Sequence, residues 1–146
     1  MTPENEAKKE FLSRYRWGVQ ALEEIENEIN ACRLGALPGA ISYDGMPHGS
    51  GDMSDLSDYA VKLDGLIMKF RLKRESLIDE LHEISSAIEA VEDPRCNILL
   101  RYRYIQLKKW EDIATYMNYH VDYVKRELHG YALSQFKLPT KSLTDV

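Results

Sequence analysis

The sequence predicts an all-α fold: a long antiparallel helical hairpin, coiled-coil-like in its pattern, followed by a C-terminal helix-turn-helix domain. Three observations carry that prediction. Two stretches repeat apolar residues in alternating steps of four and three, a Gly/Pro-rich interval lies between them, and beyond Pro94 the pattern shortens into brief helices with a tight turn.

The first helix is expected over about residues 5–33. Phe11, Tyr15, Gly18, Leu22, Ile25, Ile29 and Cys32 form a heptad seam, with Glu23, Glu24, Glu26 and Glu28 between them facing water. The pattern stops at residues 34–53, which hold Gly35, Gly39, Gly45, Gly49 and Gly51 with Pro38 and Pro47, the composition of a loop or linker. No Gly-Lys-Ser/Thr phosphate loop occurs there. The second helix starts near Ser54, a residue suited to cap it, with Asp55 and Asp58 in or near the first turn. Its seam runs through Leu63, Ile67, Phe70, Arg74, Leu77, Leu81, Ile84, Ile88 and Val91, and Pro94 closes it. Two stripes of similar length are buried most economically as an antiparallel hairpin, and such a hairpin favours a homo-oligomer, with a dimer expected. Residues 1–93 are therefore read as an acidic oligomerisation hairpin, 94–136 as the helix-turn-helix and 137–146 as a tail.

Charge separates the same two regions. The chain of 146 residues carries a net charge of −5. Residues 94–146 hold nine Lys/Arg against five Asp/Glu, a net of +4, which leaves −9 for residues 1–93. One end suits a polyanion and the other avoids one. No apolar run approaches the roughly 20 residues needed to cross a bilayer, and MTPENEAKKEF lacks the apolar core of a signal peptide, so a cytoplasmic location is expected. Cys32 and Cys96 lack metal-ligand spacing and are expected as reduced thiols, with no metal and no cofactor. No Ser/His/Asp order, carboxylate pair or nucleotide loop points to an enzyme.

In the C-terminal part, Ile98, Leu99, Tyr102 and Ile105 form one apolar face, with Arg101 and Arg103 outside it. Trp110, Ile113, Ala114 and Met117 form the next, and Val121, Val124, Leu128 and Leu133 the last. Ala114 falls where two helices cross closely. Asn118 falls where a left-handed backbone is wanted, and Val124 where a core plug is needed. The run NILLRYRYIQLKKWEDIATYMNYHVDYVKRELHGYAL resembles sigma-70 region 4, and the chain resembles small phage and prophage transcriptional regulators of the ArpU and RinA type. The strong part of the resemblance covers roughly residues 91–134. It implies a sequence-specific double-stranded-DNA-binding protein in a bacterial host cell, with RNA polymerase as a further partner. Two departures stand out: His120 replaces the usual Ser/Thr cap of the recognition helix, and Asp122 lies at that helix's DNA-facing start.

The motif places the start of its second helix against base edges and flanking cations against phosphates. The candidate DNA-binding residues are Lys108, Lys109, His120, Asp122, Tyr123, Lys125, Arg126 and His129, with Glu127 on the same face. Tyr123 or Arg126 is the expected base reader. Arg101 or Arg103 joins the phosphate candidates. His82 and His129 are expected at the surface. Two other functions share this pattern: a small-terminase-like packaging or assembly protein, and a module that contacts RNA polymerase without DNA.

Overall fold

The computed structural model describes residues 2–36 and 49–139, and all regular structure among them is helical. Helix α1 spans Pro3–Leu12, α2 Arg14–Ala36 and α3 Gly49–Glu89. Helix α4 (Pro94–Leu100) runs on as a π-helical segment, Arg101–Ile105. Helix α5 spans Trp110–Met117. A last helical run covers 121–135, with a π-helical middle, Tyr123–Leu128, and α6 (His129–Gln135) as its end. The centre of the Gly/Pro-rich interval, 37–48, lies outside the described residues, as does the end of the expected tail. The helical bounds reach further into that interval than its glycines suggest, to Ala36 on one side and from Gly49 on the other.

Local chemistry explains several of these boundaries. Thr2 caps α1, its Oγ1 accepting the Asn5 N–H at 3.1 Å, and Pro3 at the first helical position needs no donor. The single helix expected over 5–33 is interrupted at Ser13 between α1 and α2. Backbone bonds continue across the break, from Ser13 N–H to the Lys9 carbonyl and from Trp17 N–H to the Ser13 carbonyl. Asp93 caps α4 by accepting the Arg95 N–H at 3.0 Å, with Pro94 next to it. Asn97 closes the end of α3 from the other side. Its Nδ2 donates to the Ile88 carbonyl in the last turn of α3 and to the Val91 carbonyl just beyond it, each at 3.0 Å.

The chain forms two compact units, Met1–Gly18 with Leu77–Val146, and Val19–Ser76. The division falls inside α2 and α3 and not at the 93/94 boundary that the charge pattern suggests. In the first unit one core joins Phe11 and Leu12 of α1, Ile84, Ile88 and Val91 at the end of α3, and the C-terminal helices. The rings of Phe11 and Phe136 lie 6.0 Å apart. Lys8, almost fully buried, donates from Nζ to the Leu133 carbonyl at 3.0 Å. Residues 94–136 therefore share their core with both ends of the preceding segment. Gly18 is buried against Leu77, and a Cβ on it would run into that side chain. In the second unit Ile25 and Ile29 are buried and Leu22, Cys32, Leu63, Ile67 and Phe70 half-buried, while Arg74 is exposed. Glu26, Ile29, Asn30 and Arg33 of α2 line a shallow groove together with Ile67 and Phe70 of α3. No helix among the described residues is long and apolar enough to cross a membrane.

Candidate functional site

The C-terminal elements meet around a small apolar centre. Ile113 and Ala114 of α5 and Val124 and Leu128 of the last run are buried in one cluster with Leu99 and Leu100 of α4. The connection between α5 and the last run is set by Asn118, whose φ of 61° and ψ of 42° are left-handed. Asn118 N–H donates to the Thr115 carbonyl at 3.3 Å, and Tyr119 N–H to the Ala114 carbonyl at 3.0 Å. This pair of bonds is the Schellman closure of a helix end. Asparagine tolerates the conformation better than other residues with a side chain.

His120 answers the missing serine or threonine. Its Nδ1 accepts the Asp122 N–H at 3.2 Å, so the imidazole does the capping work. The Asp122 carboxylate lies 4.0 Å from the same nitrogen, in the first turn of the helix, where a negative charge is favoured. Both side chains are largely exposed, at 75% and 69%. Lys125, Arg126 and Glu127 follow on the exposed side. Tyr123 is half-buried, with its ring 5.2 Å from that of Tyr119.

Lys109 is exposed just before α5. Lys108 is half-buried, its Nζ 4.6 Å from the Tyr116 ring centre and 5.7 Å from that of Tyr102, so the cation is drawn onto aromatic faces. The loop holding these lysines turns at Leu107, whose φ of 56° is unusual for leucine.

Two arginines are engaged within the chain, and one histidine assignment changes. Arg103 stacks over Trp110 at 4.4 Å and donates to the Lys108 carbonyl at 3.1 Å, and burial lowers its pKa. Arg101 donates from Nε to Asn97 Oδ1 at 2.9 Å. Both side chains are half-buried and engaged within the chain. His129 is not at the surface, being only 3% exposed. Its Nε2 shares a 2.6 Å hydrogen bond with the Tyr104 hydroxyl, and its ring sits edge-on to Trp110 at 4.7 Å. Burial pushes its pKa down to about 4, so it is neutral at neutral pH, and it cannot meet a ligand from that position. His82 is exposed, as expected.

Sequence reasoning passed over Arg95. Its guanidinium is half-exposed, 3.8 Å from Asp93, and the neighbouring Tyr119 hydroxyl, followed by Asp93, raises its pKa. The contact joins the start of α4 to the turn after α5. The signal was available in the Asp93–Pro94 cap, which fixes Arg95 in the first turn of α4, but its neighbour Tyr119 is distant in sequence. Ile98, assigned to an apolar face, is 43% exposed. Cys96 is buried and its thiol is pushed up to about 11 by that burial, while Cys32 is half-buried, and both are free thiols. Among the described residues, no three His, Cys, Asp or Glu side chains gather as a cation site.

No family model, curated protein or solved structure matches this chain. The functional reading rests on its own residues.

Proposed function

We propose that the C-terminal elements form a helix-turn-helix that binds double-stranded DNA sequence-specifically, in a transcriptional regulator of phage or prophage type. α2 and α3 would form the antiparallel hairpin that carries it. The observation behind this reading is the turn itself. A left-handed Asn118 joins two helices that bury Ala114 and Val124, and the second helix begins with an exposed polar and basic surface. In this arrangement the second helix enters the major groove and its first residues meet base edges. Arg126 is the base reader in this reading. Lys109, Lys125 and Arg95 take phosphates, and Asp122 serves the helix cap.

The experiment is fragment selection from the source genome by the purified protein, followed by titration of the enriched site across salt concentrations. Four to six phosphate contacts give a slope of log K against log salt of about −4 to −5. Arg126→Ala should reduce the preference for the enriched site over random DNA by roughly 10-fold or more, the worth of about 1–3 kcal/mol. Lys109→Ala should weaken binding to all sequences alike. A salt-independent affinity, or no enrichment by well-folded protein, overturns the proposal. The exposed tyrosines Tyr116 and Tyr119 and the exposed Asp122 favour one second reading, a protein-contacting module directed at RNA polymerase. That reading gains if DNA is not bound.

A further inference from the structure

The second compact unit is unfinished as a single copy. Not one of residues 56–76 in α3 is fully buried, although the stretch is rich in Leu, Ile, Val, Met and Phe. Leu63, Ile67 and Phe70 are half-buried along one side. A separate stripe, Val61, Gly65, Met68 and Leu72, follows steps of four, three and four on the opposite side of the helix. Val61 is 70% exposed, Met68 51% and Leu72 58%, and a Cβ added to Gly65 would meet nothing within 4 Å. Scattered exposed apolar residues are ordinary, but a heptad-spaced row of them is the pattern that pairs helices.

The charges beside this stripe say what covers it. Lys62 and Lys69 flank it on one side, Asp64 and Arg71 on the other. Among the described residues, Asp64 and Lys69 take part in no ion pair within the chain. When two copies of α3 lie parallel and in register, Asp64 of each faces Lys69 of the other across the seam. Antiparallel pairing would set Lys62 against Lys69 twice and Asp64 against Arg71 twice, so repulsion offsets attraction. Of the two orientations, the parallel one makes the Asp64–Lys69 pairs without setting like charges against each other.

We infer that the chain forms a homodimer through the Val61–Gly65–Met68–Leu72 face of α3, paired parallel and in register with a second copy. This is a different face from the Leu63–Ile67–Phe70 seam. Gly65 sits where the two helices cross most closely, since no side chain holds them apart there. The inference does not rest on the DNA reading, and its test contains no nucleic acid.

The test is the mass of the full-length protein in solution, by sedimentation equilibrium, for the native chain and for four variants. The native chain should sediment at twice its chain mass and Leu72→Glu at once, with equal helical circular dichroism. Leu34→Glu, at an exposed position on α2, should remain a dimer. Asp64→Lys should dissociate the dimer, and the exchange Asp64→Lys with Lys69→Asp should restore it. In a Cys32→Ser background, Gly65→Cys should form an interchain disulfide under mild oxidation, which requires parallel, in-register pairing. A monomeric native chain, a dimeric Leu72→Glu, a charge exchange that fails to restore, or a Gly65→Cys chain that does not cross-link overturns the inference.

Discussion

His129 shows how far one residue can depart from what its neighbours in sequence suggest. Flanked by Leu128 and Gly130, just after the charged run Lys125–Arg126–Glu127, it reads as a surface group, yet it is sealed against Tyr104 and Trp110. Its burial has a pH consequence with a definite sign. Its pKa lies near 4 in the folded chain against about 6.5 in the unfolded one, so between those values the unfolded state binds more protons. This contribution is fully present above about pH 6.5 and is lost as pH falls toward 4. The loss approaches about 3 kcal/mol as an upper bound, since each tenfold difference in proton affinity between the two states is worth about 1.4 kcal/mol. Denaturant unfolding at pH 7 and pH 4.5 should show that loss in the native chain, and His129→Gln should be markedly less pH-sensitive. Equal pH dependence in both proteins would mean that His129 is solvated.

Glycine and asparagine divide differently. Gly130 has open space where a Cβ would go and an ordinary backbone, so Gly130→Ala should stabilise by up to about 1 kcal/mol. Gly18→Ala should destabilise, because the added methyl displaces Leu77. Thermal unfolding of the two variants separates a residue kept for space from one that is not.

At the scale of elements, periodicity reported burial well and backbone detail poorly. All seven residues of the first seam are buried or half-buried, because a stripe at helical spacing has a single side to hide. The turn after α5 was legible for a similar reason: Asn118 is among the few residue types that suit its conformation. Nothing in the residue types marks the break at Ser13, the left-handed Leu107 or the two π-helical segments, since each depends on contacts with elements distant in sequence. Tyr104 lies in one π-helical segment and His129 directly follows the other, so the buried bond between them joins both irregular stretches. The internal roles of Arg101 and Arg103 were hidden for the same reason, since the Ser85 and Trp110 neighbours they use come from other helices. The Asn118 turn is testable. Asn118→Ala should cost up to about 1 kcal/mol, because alanine keeps the Cβ but loses the short polar side chain that eases the left-handed conformation, while Asn118→Gly stays close to neutral. If both cost the same, the Asn118 side chain and not its backbone holds the turn.

At the scale of the whole molecule, charge and packing divide the chain at different places. The electrostatic break comes near Pro94, because exposed residues set the field. The packing break comes at Gly18 and Leu77, because buried residues set the core. The heptad spacing continues across the packing break in both α2 and α3, with Arg74 as the one polar position in the α3 seam, so spacing alone does not reveal it. The consequence is that a residue near the N-terminus should hold up the C-terminal helices. Phe11 is 8% exposed, lies against Phe136 and has the Arg14 guanidinium 5.2 Å from its ring centre. Phe11→Ala should cost about 3–5 kcal/mol, the usual range for emptying such a site. A core that is one cooperative unit passes that loss to every element in it. Hydrogen exchange should therefore lose protection by a common factor over residues 94–135, and affinity for DNA should fall in step wherever unfolding becomes measurable. Were exchange to rise only within α1 while amides from 94 to 135 kept native protection, the C-terminal helices would fold by themselves, and the charge boundary near Pro94 would be the structural one as well.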